Sequence, residues 1–126
     1  MNKNIFKKLD NTKTKDNVVY IIKVQLDNGL VLHKIGVTGY KREVDRMLEV
    51  LKGFFIQYRY VPFSSLKRFK RFSDAYAIEK LLHNEFVEYK YTFDKTFGGS
   101  TEFFLNIDEA KLIEFYDKIH SNQHKD

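Results

Sequence analysis

At 126 residues the chain has room for one hydrophobic core and not two. The absence of cysteine excludes a disulfide framework and a thiolate metal site, and fits a reducing cytosol. An excess of 22 Lys and Arg over 17 Asp and Glu, net +5, favours polyanionic partners, while no apolar run approaches the ~20 residues of a membrane span.

Residues 1–16 carry Lys3, Lys7, Lys8, Lys13 and Lys15 against Asp10 and Asp16, and read as a basic flexible lead-in. They start without the apolar stretch of a signal peptide. A solvated terminus is the plain interpretation and a nucleic-acid arm the functional one. Asn17 to Leu26 (NVVYIIKVQL), rich in β-branched residues, predicts a strand with Tyr20 near its start. Asp27-Asn28-Gly29 is a strong hairpin signal, because Asn and Gly tolerate the positive φ of a tight two-residue turn. Leu30 to Gly36 (LVLHKIG) returns as a second strand, so the hairpin is expected to bring Tyr20 and Lys34 to one end of a small sheet. A tyrosine and a lysine brought together beside a cationic helix can act on a phosphate.

That helix is predicted over Lys41 to Lys52, with Val44, Met47, Leu48 and Leu51 as a single apolar stripe and Gly53 as its stop. Arg42 and Arg46 stand one turn apart off the stripe, either as an exposed pair near Asp45 and Glu49 or as phosphate ligands. Phe54 to Phe63 (FFIQYRYVPF) alternates like a strand, with Pro62 ending it or marking an edge. Lys67-Arg68-Phe69-Lys70-Arg71-Phe72 interleaves four cations with two aromatics. Either run can supply the third strand. In the second, the aromatics are expected inward, and Lys67, Arg68, Lys70 and Arg71 face water or track a phosphate backbone.

Ser73-Asp74 is expected to cap a helix running to about Val87, with Ala75, Ile78 and Leu82 inward. Glu79 and His83 stand i, i+4 apart on it, but two ligands do not make a metal site, so His83 is expected to pack the helix or support a ligand. No strand precedes Gly98-Gly99 and no Gly-Lys-Ser/Thr follows, so a nucleotide-binding loop is not expected. Asp108 starts a final helix to about Ile119, and 121–126 form a polar tail.

In this order the elements resemble the GIY-YIG nuclease superfamily, above all its small phage-type branch. Val18-Val19-Tyr20 stands where the family has Gly-Ile-Tyr, and Lys34-Ile35-Gly36 where it has Tyr-Ile-Gly. Arg46 in Asp45-Arg46-Met47-Leu48 looks like the arginine of the first helix, with Arg42 as its rival. Glu79 in Ala77-Ile78-Glu79-Lys80-Leu81-Leu82-His83 looks like the metal-binding glutamate. Gly99 to Phe104 (GSTEFF) resembles the Glu-Trp-Phe-like segment of that branch. The resemblance covers roughly residues 17 to 105.

It implies an α+β domain over residues 17–120, built on a small, mainly antiparallel three-stranded sheet flanked by helices. It further implies a metal-dependent endonuclease whose partner is DNA. Glu79 would hold one Mg²⁺ or Mn²⁺, Tyr20 would take the proton of the attacking water, and Lys34 would stabilise the phenolate or bind phosphate. Arg46 would pair with the scissile phosphate. Beside it, the residues themselves offer Arg42 and the interleaved Lys67, Arg68, Lys70 and Arg71 as contacts to the DNA backbone. The alternative is a non-catalytic nucleic-acid-binding protein on the same scaffold, and a protein-interaction module is the third class. The expected setting is the cytoplasm, with a phage or bacterial gene as source.

Overall fold

A computed structural model describes residues 17–123, so the basic lead-in and the last three residues of the tail lie outside the described residues. Strand β1 (Asn17–Gln25) forms the middle of the sheet, and Val18 to Ile22 are buried because both its faces are covered. β2 (Val31–Gly39) runs antiparallel beside it, with Tyr20 opposite Gly36 and Ile22 opposite Lys34. The connection is a three-residue loop and not the expected two-residue turn. Gly29 N–H donates to the Leu26 carbonyl (3.0 Å) and Leu26 N–H to that of Leu30 (2.8 Å). Only Gly29 takes a positive φ (+88°); Asn28 instead accepts the Leu30 N–H with its side chain.

The third strand, β3 (Phe63–Arg71), comes from the second of the two candidate runs and pairs with the other edge of β1. A fourth, β4 (Phe103–Leu105), pairs with β2, so the sheet has the order β3-β1-β2-β4 and one strand more than expected. All its pairings are antiparallel. The α+β class holds. Three residues are too few to show a period, and β4 is defined by the partner strand it lies against.

Helix α1 (Glu43–Tyr58) continues through Gly53 and takes up the first five residues of the run expected to be a strand. Gly53 does not stop it; a Cβ there would stand 2.8 Å from the Phe97 ring, so glycine lets that aromatic cross the helix closely. Val50 and Phe54 are its buried residues, while Val44 and Leu48 of the expected stripe are 53% and 56% exposed. Helix α2 (Ala75–Glu85) stops short of Val87, and Asp74 precedes it in a left-handed conformation without a side-chain capping bond. Helix α3 (Glu109–Gln123) runs past Ile119, and the Gln123 amide closes it onto Ser73, accepting from its N–H (3.1 Å) and donating to its carbonyl (2.9 Å).

Alternation along β1 feeds two cores. Val18, Tyr20, Ile22 and Val24 pack with Val50 and Phe54 of α1 and with Phe93 and Phe103. Val19 and Ile21 pack with Ala75 and Leu82 of α2, Leu112 and Tyr116 of α3, and Phe104. The Tyr116 hydroxyl joins α3 to both strands, donating to the Val19 carbonyl (2.6 Å) and accepting from Lys70 N–H (2.8 Å). Among the described residues no helix is long and apolar enough to cross a membrane.

Candidate active site

Lys34 is the unusual member of the core. Its ammonium is fully buried, which is tolerable only with a compensating partner. It donates to the Tyr20 hydroxyl (2.7 Å) and forms an ion pair with Glu102, which closes a short 3₁₀ turn (Ser100–Glu102) just before β4. Two glycines clear the space. A Cβ at Gly36 would stand 2.5 Å from the Tyr20 hydroxyl, and one at Gly99 2.7 Å from Lys34 Cε. Gly99 also needs its positive φ (+83°) to enter the 3₁₀ turn.

From α1, Arg46 contacts Glu49 (3.4 Å) and lies near enough to Tyr20 to interact electrostatically with its hydroxyl. Burial works against its charge, but these partners hold the guanidinium above its ordinary value. From α2, the Glu79 carboxyl lies beside that of Glu102, and the two groups interact electrostatically. Burial first, and the neighbouring Glu102 second, push the Glu79 carboxyl up to about 7, against the opposing pull of Lys34. One Glu79 oxygen, Oε2, is buried without a hydrogen-bond partner. Tyr20, Lys34, Arg46, Glu79 and Glu102 thus form one connected group drawn from five elements.

The donor set suits a hard divalent ion of the kind the resemblance implies. Two carboxylates pressed together and an orphaned acceptor are stabilised by a cation, with water and phosphate oxygens completing its shell. Among the described residues there is no group of three or more His, Cys, Asp or Glu that could hold a metal. Glu102 was not among the residues singled out from the sequence, although it sits in the GSTEFF segment. The signal that finds it is the burial of Lys34, which demands an anion.

His83 does not join the group. Its Nε2 donates to the Ile35 carbonyl (2.8 Å) and its ring meets Phe104 edge-on at 5.0 Å, which anchors α2 to β2. Arg42 is exposed, beside Asp45 (3.8 Å), and of the two rival arginines it is Arg46 that reaches Tyr20. The Gly36 contacts carry a prediction: Gly36→Ala should cost about 1–3 kcal/mol of stability in urea denaturation, since overpacking displaces a buried side chain. Full stability would mean that the Tyr20 hydroxyl moves aside freely.

The basic tract of β3 is divided by its geometry. A bulge between the pairs Ile21–Arg68 and Ile22–Leu66 leaves Lys67 extra. Arg68 then meets Asp117 of α3 through two bonds of 3.1 Å, Lys70 meets the same carboxylate (3.2 Å), and Lys67 lies 4.0 Å from Glu109. Phe69 does not turn inward as expected: it is paired with Tyr20 and is half exposed. Three of the four expected phosphate contacts are therefore engaged by acids of α3. Arg68 first, and Lys70 after it, hold the Asp117 carboxyl below its usual range. Asp117→Asn should lower stability by no more than ~1 kcal/mol at neutral pH, as a partly exposed pair contributes little. That difference is present above the ordinary carboxylate pKa of about 3.9 and fades as acid protonates Asp117. The same variant should bind DNA more tightly at low salt, because two cations lose their counter-charge. Unchanged affinity would show that this face stays away from nucleic acid even when freed.

No curated protein and no solved structure matches the chain. The family model that matches is that of the T5orf172 domain, over residues 17–120, and not that of the GIY-YIG domain. With nearly the whole described body inside that match, the chain belongs to the T5orf172 domain family, a phage-associated domain of the GIY-YIG/HNH-like nuclease type.

Proposed function

We propose that this protein is a metal-dependent DNA endonuclease with a GIY-YIG-like site. The observation that carries the reading is the convergence of Tyr20, Lys34 and Arg46 with the paired carboxylates Glu79 and Glu102. Hydrolysis of a phosphodiester needs a proton acceptor for the water, a clamp for charge on the phosphoryl oxygens and help for the leaving oxygen. Arg46, half-buried at the edge of the group, offers its planar fork to the scissile phosphate. Tyr20 takes the proton of the attacking water, and Lys34, already donating to its oxygen, stabilises the phenolate that accepts it. Glu79 and Glu102 would hold Mg²⁺ or Mn²⁺, which when bound supplies positive charge to the phosphate and the leaving oxygen.

A second reading has its own support. Tyr20 is fully buried, whereas Glu79 is only partly so, has an unpartnered oxygen, and has a carboxyl pushed up to about 7. A proton acceptor works best near the working pH, so Glu79 could take the proton itself, with Glu102 as its partner. Supercoiled plasmid incubated with Mg²⁺ or Mn²⁺, beside an EDTA control, tests the function. Nicking that needs the ion is expected. DNA binding without nicking in either ion would leave a non-catalytic binding protein.

A further inference from the structure

The other side of the β3 tract has a different character. Phe69 lies opposite Tyr20 in the sheet register and Arg71 opposite Val18, so both share the face of the candidate active site. Just past β2, whose last residue Gly39 pairs with Asn17, Tyr40 comes beneath Arg71. The guanidinium lies 4.3 Å from the Tyr40 ring centroid, and Lys41 Nζ lies 5.4 Å from the same ring. Tyr40 is 44% and Phe69 51% exposed. Apolar ring surface left in water forgoes burial energy of ~25 cal/mol per Å², so these rings add little to the core beneath them.

We propose that Phe69 and Tyr40 are a stacking platform for unpaired bases, so that the nucleic acid taken by this site is single-stranded or locally opened. An intact duplex keeps its base faces stacked and offers proteins only phosphates, sugars and groove edges. Exposed aromatic rings suit a strand whose bases are free, because every base presents a π-face that can stack on a ring or on a guanidinium laid over one. The cations fit the same ligand: Arg71 stacked on Tyr40, with Lys41 beside it, places positive charge where a backbone would pass between stacked bases. The proposal rests on the nuclease reading for what lies next to the platform, but the stacking can be measured without any cleavage.

The full chain in EDTA would be titrated with 2-aminopurine-labelled single-stranded DNA, single-stranded RNA and duplex DNA of one length and at one salt concentration. Single strands are expected to bind at least tenfold more tightly than duplex and to change the fluorescence of the probe base on stacking. The RNA and DNA arms show which sugar is preferred. Tyr40→Leu with Phe69→Leu should remove that fluorescence change and weaken single-strand binding by about 5- to 150-fold for each base that loses its ring, given ~1–3 kcal/mol per stacked base. Tyr40→Phe with Phe69→Trp should keep both, which separates stacking from a folding defect. Equal affinity of the wild type for duplex and single strand, or single-strand binding indifferent to the Leu substitutions, would overturn the proposal. Stacking in a protein that nicks nothing would retain the platform and sink the nuclease reading. Wild-type nicking by the Leu variant would do the reverse.

Discussion

Glu79→Gln is expected to abolish nicking while raising the melting temperature of the metal-free protein at pH 8. The sign follows from the carboxyl itself. Burial and Glu102 push it up to about 7, from an ordinary value near 4.5, so the folded state binds a proton that the unfolded chain has already released. The wild type therefore has this contribution in full below pH 4.5 and loses it as pH rises through 7. Glutamine keeps the shape, donates to Glu102 as the protonated acid would, and does not titrate. The stability gap should be small near pH 4.5, widen up to about 7, and stay level above that. Addition of Mn²⁺ at pH 8 should raise the wild-type melting temperature and leave that of Glu79→Gln unmoved. Cleavage should fall by at least ~10²-fold, the scale of a positioned proton acceptor or charge ligand. Glu102→Gln should behave differently, because it strips the buried Lys34 of its ion-pair partner and costs about 3–5 kcal/mol. A Glu79→Gln protein that nicks normally and still responds to Mn²⁺ would remove Glu79 from the metal and from the chemistry alike.

That contrast also marks where the amino-acid sequence is readable and where it is not. β1 and β2 are legible because the signal is local: β-branched residues on both sides of an Asn-Gly turn. The end of α1 is not, since Phe54 to Tyr58 satisfies a period of 2 as well as one of 3.6. What decides it is Phe97, far along the chain, which needs Gly53 bare and packs against Phe54 at 4.8 Å. The β3 tract reads correctly as a strand, but its facing depends on a one-residue bulge at Lys67 and on acids of α3 that only the tertiary structure brings near. The same limit hides Glu102. Its importance follows from the burial of Lys34 beneath it, and no periodicity in LVLHKIG distinguishes a buried lysine from an exposed one.

Tyr20→Phe divides the two candidate proton acceptors. If Tyr20 is the base, loss of its hydroxyl should reduce nicking by ~10²–10⁴-fold while single-strand binding and the Mn²⁺-induced rise in melting temperature persist. If Glu79 accepts the proton, the same variant should keep most of its activity. Tyr20→Phe also leaves Lys34 one acceptor short, but Glu102 remains paired with it, so the fold should survive. Lys34→Met supplies the matching test. It removes the ammonium that donates to the Tyr20 oxygen, so a Tyr20-based reaction loses the group that stabilises charge there and should slow. A Glu79-based reaction is affected too: Lys34 pulls the Glu79 carboxyl down, so its loss lets burial and Glu102 push that carboxyl higher still. Lys34→Met thus impairs both mechanisms, and it is Tyr20→Phe that separates them. An inactive but folded Tyr20→Phe protein assigns the proton to Tyr20. An active one assigns it to Glu79, and a Lys34→Met protein that nicks like the wild type removes the buried lysine from both.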